Sequence, residues 1–184
     1  MSELDEKLCY EFNSGDLTAF EELVRRWEKD ILNLAYRYLS DSEDAKDVTQ
    51  EIFIKLFLNA NKFNGRSSFK TWLYRVAVNS IIDYSRKQST KKRKELNNSP
   101  HHLLKKDDGD EDSHNSLEKK EMKKMVKRAM SDLPKKQRVV LLLKEYNDLS
   151  FNEISEILNC PVSTVKSRLY KGLSNMKNII EANI

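Results

Sequence analysis

Ser163, Thr164, Lys166, Ser167 and Lys171 fall on one side of a helical stretch whose other side carries Val165, Leu169, Leu173 and Met176, with Arg168 at the flank. Hydroxyls and cations at the N-terminal end of an exposed helix suit phosphate oxygens and base edges. Just upstream, Ser150-x-x-Glu153 forms a capping box, Ile154, Ile157 and Leu158 form a buried stripe, and Asn159-Cys160-Pro161 supplies a turn. Two short helices, a tight turn and a basic second helix make a helix-turn-helix, whose second helix enters the DNA major groove. An ordinary helical hairpin is the bland alternative, and the cap, turn, stripe and basic face together speak against it.

Two further clusters could bind but not catalyse. Asp44, Asp47 and Glu51 are spaced i, i+3 and i+7, so they share a helical face bordered by Gln50. That face could dock a basic helix. It could hold a divalent metal only with ligands from elsewhere, and spacing alone fits a solvated face best. From Phe63 to Arg75, aromatics interleave with cations around Gly65, a mixture that stacks unpaired bases and holds their backbone. Phe69, Trp72 and Leu73 fall on a core stripe there, whereas Lys70, Tyr74 and Arg75 lie off it. No phosphate-binding glycine loop, nucleophile elbow or zinc motif occurs. Cys9 and Cys160 have no metal or disulfide spacing, and His101, His102 and His114 lack ligand neighbours at metal spacing.

These residues need elements to hold them. Four Gly and three Pro in 184 residues leave little turn material for a β-sandwich or barrel. The periodicity predicts helices over about 3–14, closed by Gly15; from a cap at Asp16 or Thr18 to Tyr38; over 42–59; and from Ser68 through Tyr84. Residues 88–116 lose the apolar period and read as a flexible polar linker. Helical period returns at Met122, Met125, Val126, Ala129 and Leu133, then over Lys135–Tyr146. The predicted architecture is all-α: a helical domain over 1–87, a linker over 88–116, and a helix-turn-helix domain over 117–184.

Charge divides along the same lines. Residues 1–54 hold 6 Lys/Arg against 14 Asp/Glu, residues 55–87 hold 7 against 1, residues 88–116 hold 6 of each, and residues 117–184 hold 14 against 8. Two basic blocks suit two nucleic-acid contacts, and an acidic block suits a basic protein surface. The acidic, non-apolar start predicts no secretory signal. No apolar run approaches the roughly 20 residues of a membrane span, and a reducing cytoplasm is the simplest location.

Several of these motifs, in this order, resemble the sigma-70 family of RNA polymerase sigma factors. They are Gly15-Asp16-x-x-Ala19-Phe20, Asp44-Ala45-Lys46-Asp47-Val48-Thr49-Gln50-Glu51-Ile52-Phe53, Phe69-Lys70-Thr71-Trp72-Leu73-Tyr74-Arg75-Val76-Ala77-Val78-Asn79, and Leu133-Pro134 with Ser163-Thr164-Val165-Lys166-Ser167-Arg168. Two domains with none between them resemble the extracytoplasmic function (ECF) group.

The resemblance implies a transcription initiation factor rather than an enzyme, with no cofactor and no metal. It implies RNA polymerase core as partner, through the β′ clamp helices and the β subunit, with Asp44, Asp47, Gln50 and Glu51 matching the docking motif. It implies capture of the melted −10 promoter strand by Phe63, Asn64, Arg66, Ser67, Ser68, Lys70, Trp72, Tyr74, Arg75 and Asn79. The −35 element would be read by Ser163, Thr164, Lys166, Ser167, Arg168 and Lys171. An anti-sigma factor is a further implied partner, and membrane insertion is not. Lys46 departs from the family pattern, which has an acidic residue there. The main alternative is a stand-alone helix-turn-helix regulator binding duplex DNA as a dimer; the acidic block and the aromatic loop argue against it. A metal-dependent nuclease using the acidic face is the remote one.

Overall fold

The computed structural model describes residues 2–98 and 117–182, the side chains of Ser2, 92–98 and 117–120 excepted. The described residues form eight α-helices and no strand: α1 (Ser2–Asn13), α2 (Leu17–Leu39), α3 (Ser42–Asn59), α4 (Phe69–Asn98), α5 (Leu117–Asp132), α6 (Lys135–Glu145), α7 (Phe151–Leu158) and α8 (Val162–Glu181).

Local chemistry sets the helix ends. Gly15, at φ +105°, turns the chain after α1 in a conformation that a side chain would strain. Asp16, not Thr18, caps α2: its Oδ1 accepts from the Thr18 backbone N–H at 2.9 Å and from the Thr18 hydroxyl at 2.6 Å. Asp41 caps α3 through the Asp44 N–H, 2.9 Å away. Ser68 caps α4 by accepting from the Thr71 N–H at 3.1 Å. Each such cap satisfies a donor that the first helical turn leaves unpaired.

Helices α2, α3 and α4 bury the stripes that periodicity predicts. Leu23, Trp27, Ile31, Leu34, Ala35 and Tyr38 of α2 meet Ala45, Val48, Ile52 and Leu56 of α3, and Phe69, Leu73, Ala77 and Ile81 of α4. Phe20 and Val24, which helical spacing puts on the same side of α2 as Trp27 and Ile31, are only half-buried and line a groove instead. Asp5 of α1 is buried and accepts from Arg26 Nε at 2.8 Å. The Cys9 thiol is buried beside it in the helix, and burial pushes its pKa up to about 11.

Two expectations change. α4 continues to Asn98, well past the expected boundary at 87. The rest of the expected linker, residues 99–116, lies outside the described residues, and His101, His102, His114 and the acidic run Asp107–Asp112 lie there too. In α8 the inward stripe is Val165, Leu169 and Gly172, with Met176 half-buried, whereas Leu173 is 42% exposed. The reason is spacing: Gly172 falls at i+7 from Val165, under α6. A Cβ at Gly172 would sit 2.9 Å from Leu141 Cδ1 and 3.3 Å from Gln137 Cβ, so glycine permits the close approach of α8 to α6.

Helix α6 is buried all round, from Val139 through Leu143. An apolar girdle of that kind needs cover on both sides. α8 supplies one side, and the first helical group supplies the other. Across this seam Tyr74 Oη donates to Asn147 Oδ1 at 2.9 Å, Arg138 Nη1 donates to the Tyr38 carbonyl at 3.1 Å, and Lys127 Nζ donates to Tyr36 Oη at 3.1 Å. The Arg37 guanidinium lies 4.1 Å over the Tyr146 ring.

Candidate nucleic-acid interface

The aromatic loop is built on a short 3-10 turn, Ala60–Lys62, followed by Phe63 and an exposed Asn64-Gly65-Arg66 bend. Gly65 has φ +71°, and Asn64 Oδ1 accepts from the Arg66 N–H at 3.2 Å. This Asx-type contact holds the bend without a longer hydrogen-bond ladder. Phe63 closes on Trp72 with ring centroids 5.5 Å apart and on Phe69 at 5.9 Å. Phe69 is buried and anchors the trio, leaving Phe63 and Trp72 half-buried at the surface. Two part-exposed rings beside a polar bend make a surface on which unpaired bases can stack.

The helix then separates the other expected contacts into two faces. Trp72, Arg75 and Asn79, spaced i, i+3 and i+7, share the side next to the loop. Asn79 is exposed and Arg75 half-buried, its Nε enclosed without a partner. Lys70 and Tyr74, spaced i and i+4, turn toward the seam. The expectation that Tyr74 lies free of the buried set does not hold: it is 2% exposed, packed edge-on against Trp27 and hydrogen-bonded to Asn147. Burial, and then the Asp30 carboxylate, push its phenol pKa well above the ordinary range. Ser68 is committed to its cap, through both the Thr71 N–H and the Thr71 hydroxyl. The structure therefore gathers Phe63, Asn64, Arg66, Trp72, Arg75 and Asn79 around one surface, with Ser67 at its edge.

The acidic set also divides. Asp47 and Gln50 are exposed on α3. Glu51 pairs with Lys55 at 2.7 Å, and Lys55 also donates to Ser80 at 3.0 Å. Asp44 faces α4 and accepts from Tyr84 Oη at 3.0 Å and Gln88 Nε2 at 3.1 Å. With Asp44 and Glu51 turned to different partners, the three carboxylates do not converge, and no three-residue metal cluster occurs among the described residues. Lys46 pairs with Glu43 at 3.2 Å, both exposed. Beyond Gln50, α3 presents Ile54, 51% exposed, and Leu58, 69% exposed, with Phe57 between them. With Phe20, Val24 and Leu32 of α2 these form an apolar groove of about 510 Å³, rimmed by Gln50 and Lys46. Apolar periodicity does not mark this groove. Its signal was present, because Ile54, Phe57 and Leu58 are large apolar residues off the buried stripe.

In the second group, Ser150 and Glu153 form the expected reciprocal box, with the Glu153 carboxylate accepting from the Ser150 N–H at 2.8 Å and the Ser150 hydroxyl accepting from the Glu153 N–H at 3.2 Å. Asn159 takes the left-handed conformation, φ 46°, and Ser155 Oγ donates to the Cys160 carbonyl at 2.7 Å. That turn launches α8 after Pro161. Ser163, Lys166, Ser167 and Lys171 are exposed along α8, joined by Tyr170; Thr164 and Arg168 are half-buried. Arg168 Nη1 lies 3.5 Å from Cys160 Sγ, so the turn steadies the guanidinium, and Lys166 Nζ sits 5.4 Å over the Phe151 ring. Pro161 gives α8 no side-chain cap, and a helix N-terminus left without one is suited to phosphate.

Known proteins resemble this chain along most of its length. The chain matches the family model Sigma-70 region 2 over residues 23–91 and the family model Sigma-70, region 4 over residues 123–176. It is 33% identical over 181 residues to the ECF RNA polymerase sigma-E factor of Haemophilus influenzae, covering 96% of this chain and 95% of the relative. The same protein of Escherichia coli K12 is also 33% identical over 181 residues, covering 94% of its length. Among solved structures, CnrH in complex with the cytosolic domain of CnrY superposes with TM-score 0.72 at 20% identity, covering 98% of this chain and 99% of that one. The sigma factor RpoE in complex with the anti-sigma factor NepR from Bartonella quintana superposes with TM-score 0.70 at 18% identity, covering 91% of this chain and 100% of that one. Both share the all-helical fold.

Proposed function

The chain belongs to the sigma-70 family, in the ECF group, and from that premise we propose that it binds core RNA polymerase, directs it to specific promoters and promotes melting of the −10 element. The observation that carries this reading is the pairing, in one chain, of an exposed acidic and polar patch on α3 with two separate DNA-suited surfaces. Asp47 and Gln50 dock on core through the β′ clamp helices, with the apolar groove beyond them extending the contact. Phe63, Asn64, Arg66, Trp72, Arg75 and Asn79 capture the non-template strand of the melted element. Ser163, Thr164, Lys166, Ser167, Arg168 and Lys171 read the −35 element, with the β subunit supporting that group of helices.

The chain performs no covalent step in this reading. Melting is a shift of the duplex equilibrium, driven by the free energy of capturing unpaired bases. Flipping or unstacking a base costs a few kcal/mol, comparable to about 1–3 kcal/mol from stacking one base on an aromatic ring. Phe63 and Trp72 are positioned to supply that gain. The protein acts in the cytoplasm, where polymerase is, and an anti-sigma factor is a further partner. No helix among the described residues is long and apolar enough to cross a membrane.

Run-off transcription tests the proposal. Purified core polymerase is assayed with and without this protein on DNA sheared from its source genome. Discrete transcripts that depend on the protein are expected, and their start sites locate both promoter elements. Failure of the protein to bind core at all would refute the reading.

A further inference from the structure

We infer that the cavity between the end of α2 and helices α5 and α6 binds a small anionic amphiphile, an apolar body carrying a carboxylate, and that the bound molecule holds the two helical groups together. None of the residues proposed for core docking or DNA contact lines this cavity, so the site is independent of that reading.

Both groups build its walls. Ser40 ends α2 in the left-handed conformation, φ 60°, and its N–H donates to the Tyr36 carbonyl at 2.7 Å. That cap fixes the last turn of α2, which carries Tyr36 and Arg37 into the lining. Met130 of α5 and Leu142 of α6 are buried and, with half-buried Val126, supply an apolar floor. Met122 and Tyr146 are exposed at its edge. The cavity measures about 630 Å³, within the ~300–1,000 Å³ of sites that enclose small molecules.

Arg37 sets the charge of the occupant. Its guanidinium lies 4.1 Å over the Tyr146 ring, a cation–π contact that holds the planar group by its face. The N–H donors lie in the plane and stay available. Among the described residues Arg37 has no hydrogen bond and no ion pair. A carboxylate fits such a fork with two parallel hydrogen bonds. Lys123 and Lys127 stand on the α5 side, where Lys127 Nζ donates to Tyr36 Oη at 3.1 Å, and no Asp or Glu lines the cavity.

The floor sets the rest of the molecule. An inorganic anion would satisfy Arg37 and leave the apolar floor wet. A neutral hydrocarbon would cover the floor and desolvate a guanidinium without pairing it, which is costly. An anion with an apolar body uses the whole cavity. Two other cavities offer less. The groove along α3 has Glu28 and Lys46 in its lining, whose charges cancel. The cavity beside α1 sets Glu6, Glu11 and Asp16 against Lys7 and repels an anion. With its carboxylate on α2 and its body on α5 and α6, the ligand binds best when these helices face each other, and it shifts the population toward that arrangement.

The probe is decanoate below its micelle concentration, with decanol and decylammonium as neutral and cationic controls. Isothermal titration of the full chain should show a decanoate site. R37A should weaken it about tenfold or more, as loss of a hydrogen bond to a charged group does. Decanol should bind wild type and R37A alike, and decylammonium should bind wild type more weakly than decanoate. Y146L keeps an apolar wall but removes the ring that orients Arg37, so it should weaken decanoate and spare decanol. Arg37 and Tyr146 are both exposed, so each variant should melt at the wild-type temperature without ligand. Decanoate should slow hydrogen exchange at the end of α2 and along α5 together. Failure of decanoate to bind wild type, equal decanoate affinity in R37A, or decylammonium binding as tightly as decanoate would overturn the site. Slowed exchange on one side alone would overturn the bridging of the two groups.

Discussion

Tyr84 Oη and Gln88 Nε2 both donate to Asp44 Oδ1, at 3.0 and 3.1 Å, so this carboxylate ties the first turn of α3 to α4. Asp47, one turn further along α3, is exposed. Spacing groups the two aspartates on one helical face, yet one stitches helices together and the other stays exposed. Burial raises the Tyr84 pKa; the hydrogen bond from Gln88 lowers it, and the hydrogen bond and charge of Asp44, with the charge of Asp47, add to the rise.

The two aspartates should therefore fail differently. D44A removes an ionised acceptor shared by two donors and should cost about 1.5–3 kcal/mol of stability. D47A with Q50A alters exposed side chains and should shift stability by less than about 0.5 kcal/mol, while abolishing competition for core polymerase. Urea unfolding and a core-binding competition on the same samples check both halves. A D47A/Q50A protein that still competes at wild-type affinity would remove those residues from the docking face.

The contact between Tyr74 and Asn147 links residues far apart in sequence and is sheltered from water. Y74F and N147A should therefore be coupled in a double-mutant cycle by about 0.5–3 kcal/mol. Asn147 Nδ2 also donates to the Leu142 carbonyl at 2.9 Å, so N147A carries a second loss that the cycle subtracts. Additive effects would show that the two helical groups do not hold this seam in solution.

How far this fold was legible depends on what each signal measures. The stripe of Ala45, Val48, Ile52 and Leu56 reports burial by near neighbours, and α3 follows it from Ser42 to Asn59. The Ser150–Glu153 box is local chemistry and forms as its spacing requires. Apolar periodicity is blind to helices that bury nothing, so the polar segment after position 87 reads as linker. That segment has no Gly and no Pro up to Asn98 and is rich in Lys, Arg, Gln and Glu, which favour helix, and α4 continues through it. Tyr74 sits off the stripe set by Phe69, Leu73 and Ala77, and its cover comes from Asn147, which no local pattern reveals. For the same reason Asp44 could not be separated from Asp47 before its partners on α4 were placed.

On α8, K166A should weaken binding to promoters that carry a −35 element, and the loss should shrink as salt rises, because an exposed lysine acts through phosphate charge. R168A should also weaken binding, and additionally relax selectivity at one base position, since Cys160 and the turn hold the guanidinium in a fixed place. Holoenzyme binding to promoters with single-base changes in the −35 element, at two salt concentrations, checks both. Unchanged selectivity in R168A would assign that side chain to the turn alone.

The Glu153 carboxylate gives the helix-turn-helix an acid limit. Burial raises its pKa, but the Ser150 hydroxyl and backbone N–H, with the positive charges of Lys70 and Lys144, outweigh that and hold it below the ordinary 4.5. A carboxyl whose folded pKa is depressed contributes stability above its unfolded pKa and loses it as pH falls through the folded value. E153Q keeps hydrogen-bonding capacity at that position but does not titrate. The stability advantage of wild type over E153Q should therefore be constant near neutrality and should shrink once pH falls below about 4.3. Unfolding of both proteins across a pH series measures the difference, and an advantage that stays flat to pH 3 would mean that the charged form of Glu153 is not what Ser150 holds.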